Sequence, residues 1–280
     1  MKQIEMLLPE VYARQLSRAD WHGLEELRVG TGRPLRLRYA DIEREIEPKA
    51  DPDMINEILQ RACNHSAYAY SDTIRRGYIP LPGGHRMGIC GFGVTEMGSV
   101  QTVKEWSSLN IRVARQFPGC GMKLASRLNV STLILGPPGS GKTTLLRDTV
   151  RFLSESRGVY VGLVDERGEL SAAVGGKNQL DVGTRTDVLV NVPKAEAVMM
   201  LLRTMNPAWI ALDEITAPED IAVMEQASYC GVRLLATAHG DCVEDLKKRP
   251  LYRKLMETGV FRQIAVLKKD KTYTLREVET

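Results

Sequence analysis

At 280 residues with 43% hydrophobic and 26% charged side chains, the chain has the composition of an ordinary globular protein, long enough for two domains. A net charge of +3 is far from the concentrated basic surface that would alone point to nucleic acid, so electrostatics names no partner. Five cysteines, Cys63, Cys90, Cys120, Cys230 and Cys242, are odd in number and show no C-x-x-C spacing, which argues against a zinc site or a disulfide framework and for a reducing cytoplasm.

The opening "MKQIEMLLPEVYARQL" carries acidic residues where a signal peptide needs an unbroken apolar core. No later stretch approaches the roughly 20 apolar residues of a membrane span. Short alternating runs follow, "LEELRVG" (24–30), "RPLRLRY" (33–39) and "GHRMGICGFGV" (84–94), with a helical pattern over "PDMINEILQRAC" (52–63). They predict a small α+β domain over residues 1–117.

After "QFPGCG" (116–121) the pattern changes. Continuous apolar runs, "STLILG", "GVYVGLVDE", "PAWIALDE" and "VRLLATAHG", alternate with amphipathic stretches, as strands buried on both faces of a parallel sheet require. Residues 118–280 are therefore expected to form an α/β domain. Within it, "PKAEAVMMLLRTM" (193–205) starts with a proline suited to a first helical turn. Ala195, Val198, Met199, Leu202 and Met205 form its expected core stripe. Beyond residue 242 a helix is predicted, then a closing hairpin of "VFRQIAVLKK" and "KTYTLREV" across an Asp-Lys turn that serves to complete the sheet.

The chemistry begins at "GPPGSGKTT". Gly136, Pro137, Pro138, Gly139, Ser140, Gly141, Lys142 and Thr143 fit the phosphate-loop pattern G-x-x-x-x-G-K-[ST], preceded by an apolar strand and followed by an amphipathic helix. Backbone N–H groups and the helix N-terminus then converge on phosphate. Lys142 is expected on the β- and γ-phosphates of ATP, Thr143 on magnesium and Thr144 near the α-phosphate. A hydrolase also needs a carboxylate for the metal and a group that orients water. "AWIALDEI" supplies Asp213 for the metal and Glu214 for the water. Two further strand ends carry polar groups: "GLVDERGEL" with Asp165, Glu166, Arg167 and Glu169, and "LLATAHG" with Thr237 and His239. Carboxyl ends of parallel strands face the ligand crevice.

The order GPPGSGKT, VDERGE, WIALDE, TAHG resembles the secretion-superfamily ATPases, the motors of type II and type IV secretion and of pilus machines. Several segments between about residues 80 and 250, among them "LPGGHRMGICG" and "DVGTRTDVL", are similar in particular to a sporulation branch of that superfamily. The resemblance implies a RecA-like P-loop core with an accessory N-terminal domain, and magnesium-dependent ATP hydrolysis. It further implies a homo-oligomeric ring, commonly a hexamer, and membrane-embedded subunits of a sporulation secretion complex between mother cell and forespore as partners, met from the cytoplasmic, mother-cell side. It places Glu166 or Glu169 in an acidic box and gives His239 the role of sensing the γ-phosphate. It also suggests that arginines of the N-terminal domain or linker, Arg86, Arg112 and Arg115, reach the phosphates, with Arg185 and Arg203 as weaker candidates. In one place the chain departs from the pattern: Thr216 and Ala217 follow the acidic strand where Ile-Arg-Asp is usual.

A nucleic-acid-associated ATPase is the rival reading. It would want a basic C-terminal region and aromatic stacking platforms, and four Phe and three Trp in the whole chain offer few. A nucleotide-dependent scaffold that does not hydrolyse would need no Glu214.

Overall fold

Alternation of apolar and polar residues in the first half produces a sheet with one buried face. The computed structural model describes residues 2–40 and 42–278 and separates into two units, Met1–Arg115 and Gln116–Thr280. The first holds β1 (Glu26–Gly30), β2 (Pro34–Arg38), β3 (Glu43–Lys49), β4 (Tyr78–Pro80), β5 (Arg86–Glu96) and β6 (Ser99–Arg112). They form an antiparallel sheet in the order β3-β2-β1-β6-β5-β4. Leu27, Val29, Leu35, Leu37, Met87, Ile89, Leu109 and Ile111 point into the core. The helix Pro52–Ala62 covers them with Ile55, Ile58, Leu59 and Ala62. Its start is set by Asp51, which accepts the Met54 N–H at 2.8 Å, and by Pro52 in the first turn. The long β5–β6 hairpin turns on Met97 (φ 48°) and Gly98 (φ 78°), the two positive angles that match the strand twist.

In the second unit lie β7 (Thr132–Gly136), β8 (Val161–Asp165), β9 (Thr186–Val190), β10 (Trp209–Leu212), β11 (Arg233–His239), β12 (Gln263–Leu267) and β13 (Tyr273–Glu277). Their order is β13-β12-β7-β11-β10-β8-β9, parallel except for β13. This is the α/β architecture expected from the continuous apolar runs, and β7, β8 and β10 are buried along their whole length. Alternate residues feed two cores. Ile134, Leu163, Ala211 and Leu235 pack with Leu146, Val150 and Leu153 of the helix Lys142–Ser156. Leu133, Leu135, Ile210 and Leu234 pack on the other side with the helices Lys194–Thr204, Pro218–Tyr229 and Pro250–Glu257. Among the described residues no helix is long and apolar enough to cross a membrane.

One expectation is corrected here. Of the expected stripe, the helix Lys194–Thr204 buries Val198 and packs Ala195, Met199 and Leu202 partly buried against the core, whereas Met205, just beyond its end, is 42% exposed; Lys194, Ala197 and Leu201 are buried as well. The reason lies on β8: a Cβ on Gly162 would sit 2.9 Å from a Leu201 methyl, so the glycine leaves a notch that only Leu201 fills. That contact widens the buried face, adding Ala197 and Leu201 beside the expected stripe.

Candidate active site

The carboxyl ends of β7, β8, β10 and β11 lie along one edge of the sheet, and the strand order brings their polar residues together. Gly136 closes β7 and is packed from two directions: a Cβ there would lie 2.7 Å from Ser140 Oγ and 2.8 Å from the Leu267 carbonyl. The loop then turns through Gly139 (φ 73°) and Gly141 (φ 94°), conformations that favour glycine, and Lys142 opens the helix. First-turn N–H groups of such a helix have no intrahelical acceptor and face the loop.

Lys142 folds back over this loop. Its Nζ donates to the carbonyls of Gly136 (2.8 Å) and Pro137 (3.0 Å) and lies 3.0 Å from His239 Nδ1. Burial pushes its pKa down, and the nearby carboxylates of Asp213 and Glu214 oppose that shift. An ammonium group only donates, so His239 Nδ1 is the acceptor and the ring proton belongs on Nε2. Nε2 in turn lies 3.1 Å from Glu214 Oε1, which accepts that proton's hydrogen bond. Lys142, His239 and Glu214 thus form one polar chain across three strand ends.

A second chain runs beside it. Thr143 Oγ1 donates to Asp213 Oδ2 at 2.8 Å, and Thr237 Oγ1 donates to Asp213 Oδ1 at 2.5 Å. The Thr237 hydroxyl also accepts the Glu214 N–H at 2.7 Å. That last bond holds Glu214 in the left-handed region, at φ 54°, a conformation that costs a non-glycine residue about 1–3 kcal/mol. The other carboxylate oxygen of Glu214 takes Arg167 Nη1 at 2.7 Å. Both oxygens of the candidate water-orienting group are therefore engaged.

The segment after β8 divides its charges. Asp165, only 2% exposed, accepts the N–H groups of Glu169, Leu170 and Ser171 and the Ser171 hydroxyl, so it shapes the turn. Glu166 turns to Lys194 Nζ at 2.5 Å. Lys194 is 6% exposed and also approaches Thr216 Oγ1 (3.4 Å) and Asp220 Oδ2 (4.0 Å). Glu169 has an exposed side chain, and its carbonyl accepts Arg147 Nη2 at 2.9 Å. Thr144 follows in the first turn of the helix, half-buried.

Three candidate arginines belong to the first unit. Arg86 and Arg112 are register partners at the ends of β5 and β6, and the Arg86 guanidinium stacks 3.7 Å from the centre of the Tyr78 ring. Arg115 Nη2 donates to the Leu24 carbonyl at 2.5 Å. Arg185 and Arg203 are carried by the second unit, on the turn before β9 and on the helix Lys194–Thr204.

The residues present fit a magnesium nucleotide. The loop leads into a helix start, whose first N–H groups have no intrahelical acceptor, and the fully buried Ser140 hydroxyl has no partner among the described residues. Thr143 and Asp213 supply one hydroxyl and one carboxylate, the sparse oxygen set of an ion that keeps waters and phosphate oxygens as its other ligands. Among the described residues no group of three His, Cys, Asp or Glu side chains suited to a metal occurs.

Sequence reading missed Lys194, placed at the start of a core helix, and passed over Arg167 and Thr237 as polar strand-end residues without a role. Thr237 could have been found, because a hydroxyl two residues before His239 on a buried strand needs a partner.

The family described as "Sporulation stage III, protein AA" matches residues 1–276 of this chain. Stage III sporulation protein AA of Bacillus subtilis (strain 168) is 37% identical over 272 residues, covering 93% of this chain and 89% of that protein. Among solved structures, the Legionella pneumophila ATPase DotB superposes with a TM-score of 0.62 at 15% identity, over 96% of this chain and 79% of that one. The pilus retraction motor PilT, solved with bound ADP, gives 0.60 at 15% identity, over 98% and 84%.

Proposed function

This chain belongs to the family of sporulation stage III protein AA, and on that premise we propose that it is a magnesium-dependent ATPase. The movement it generates would drive membrane-embedded subunits of a sporulation secretion complex. The observation that carries the reading is the convergence of three strand ends: Lys142 on His239 on Glu214, and Thr143 on Asp213 on Thr237. Shared fold with DotB and with the ADP-bound motor PilT is in keeping with it.

Each residue then has a task. Gly136, Pro137, Pro138, Gly139, Ser140 and Gly141 shape the loop whose N–H groups receive phosphate oxygens, and Thr144 stands at the α-phosphate end. Lys142 exchanges its carbonyl partners for phosphate oxygens, which need its charge more than two neutral acceptors do. Thr143 and Asp213 hold magnesium, which when bound offsets charge on the phosphates. Glu214 orients the attacking water and accepts its proton on a carboxylate oxygen, which requires Arg167 or His239 to release that oxygen first. Because His239 touches both Lys142 and Glu214, a change at the phosphate end reaches the carboxylate through one imidazole. Glu166 acts through Lys194, and Glu169 contributes to the same acidic turn. Arg86, Arg112 and Arg115 are the first unit's candidates for a supplied guanidinium, a group worth 10³ to 10⁵ in rate in phosphoryl transfer.

The same reading makes the working form a homo-oligomer, a hexameric ring, on the cytoplasmic mother-cell face of a membrane. Phosphate release by the full chain, followed over a wide range of protein concentration, tests it. Specific activity that rises with concentration in wild type and is absent in Lys142→Ala is expected; a flat profile would leave a monomeric enzyme in place of the ring, and an active Lys142→Ala would remove the P-loop.

A further inference from the structure

The closing hairpin does more than complete the sheet. β12 pairs in parallel with β7, the strand that leads into the phosphate loop, with Val266 beside Leu135. The turn that follows β12 therefore emerges at the same edge as the loop. Leu267, the last residue of β12, lies so close to Gly136 that a Cβ there would meet its carbonyl at 2.8 Å and its Cβ at 3.3 Å. Four residues on, Lys271 Nζ donates to the Gly139 carbonyl at 2.6 Å. Its stem lies across the loop, with Cδ at 3.7 Å from where a Gly141 Cβ would be.

The turn is built to present this lysine. Asp270 accepts the N–H and the hydroxyl of Thr272 at 2.9 and 2.6 Å, and the Lys268 N–H donates to the Thr272 carbonyl at 2.8 Å. Lys271 itself takes φ 69°, an angle that favours glycine and asparagine over a long side chain. Glycine at this position would relieve the backbone but leave the Gly139 carbonyl without its cation. The side chain, not the turn, is the feature that such a conformation preserves.

Gly139 and Gly141 are the two loop residues with left-handed backbones, and glycine is the residue that loses most freedom on ordering. A cation that pins the carbonyl of one and covers the other narrows the shapes open to the loop before any ligand arrives.

We infer that Lys271 is a positioning residue for nucleotide: from the C-terminal hairpin it holds the phosphate loop in its receiving shape and so raises affinity for nucleoside di- and triphosphates. The inference rests on the nucleotide reading of the loop and adds to it a contact from an element more than 120 residues downstream of the loop. Because Lys271 meets the loop at the Gly139 carbonyl, whereas Glu214 is held by Arg167 and His239, it acts on binding and not on the water-orienting end.

The test is equilibrium binding of ATP and of ADP to the full-length chain with magnesium, paired with steady-state turnover. One charge-assisted hydrogen bond acting through a loop is worth about a tenfold change in affinity. Lys271→Ala should weaken both nucleotides by about tenfold and raise KM accordingly, with kcat within about twofold of wild type. Lys271→Arg should restore most of the affinity. Lys269→Ala, the same loss of charge two residues away, should change little. Wild-type affinity in Lys271→Ala, or equal losses in Lys271→Ala and Lys269→Ala, would overturn the inference; so would a fall in kcat with KM unchanged. Lys142→Ala run in the same assay separates the two levels: if that variant also binds as wild type, the nucleotide reading itself has failed.

Discussion

Thr237→Val removes one hydroxyl while keeping the shape of the side chain, and its consequences can be worked from the site. Thr237 is fully buried, donates to Asp213 Oδ1 at 2.5 Å and accepts the Glu214 N–H at 2.7 Å. Losing a hydrogen bond to a charged acceptor costs about 1.5–3 kcal/mol, and a buried N–H left without an acceptor adds about 1–3 kcal/mol. Asp213 keeps its bond from Thr143, so the lower half of that range applies and the total is about 3 kcal/mol. With a urea slope of about 2 kcal/mol per molar, the unfolding midpoint of the second unit should fall by about 1.5 M. Trp209, buried in that unit, reports it once Trp21 and Trp106 are replaced by Phe. Turnover should fall as well, because the left-handed Glu214 loses the bond that fixes its backbone. Thr237→Ser keeps the hydroxyl and should lie close to wild type in both assays. A valine variant with a midpoint no lower than that of the serine variant would refute the reasoning.

Other consequences follow from buried charge. Lys194→Met leaves Glu166 and Asp220 without their shared cation; as Glu166 is partly exposed, the loss should be about 2–3 kcal/mol, read as a lower thermal midpoint, and an unchanged midpoint would mean that the pair contributes nothing. In the first unit burial holds the His85 pKa down at about 4, with its Nδ1 accepting the Ala114 N–H at 3.0 Å. The folded value lies below the unfolded one of 6.5, so the unfolded state binds the extra proton between them and stability is lost as pH falls from about 6.5 to about 4. His85→Asn, whose Oδ1 can take the same N–H, should flatten the pH dependence of the urea midpoint over that window; a variant with the wild-type slope would assign it to other groups.

The parts of the site legible in the sequence are those written in one short segment. Residues 136–143 carry their own glycines, lysine and hydroxyl, and the strand runs before Asp165, Asp213 and His239 announce themselves by unbroken apolar character. What periodicity could not reveal depends on which strands become neighbours. Lys194 reads as the polar start of a core helix until Glu166 and Asp220, from two other segments, close around it. The buried face of that helix is wider than the periodic stripe because "VMMLL" is apolar on adjacent faces, and Leu201 fills the notch left by a glycine on β8. Glu166 and Arg167 are consecutive yet turn to different partners, Lys194 and Glu214. The hairpin was visible as a hairpin, but its turn meets the phosphate loop only because β12 lies next to β7.

The account stands most directly on Glu214. Its carboxylate is the meeting point of His239 and Arg167, on a backbone held by Thr237, and its proposed work is to orient water and take a proton. Glu214→Gln keeps the shape and loses the proton acceptor. Measured together on the full-length chain, magnesium-ATP binding should stay within about threefold of wild type while phosphate release falls by about 10² to 10⁴. Normal phosphate release by Glu214→Gln, accompanied by its loss in Glu166→Gln or Glu169→Gln, would contradict the account and move the chemistry to the turn after β8.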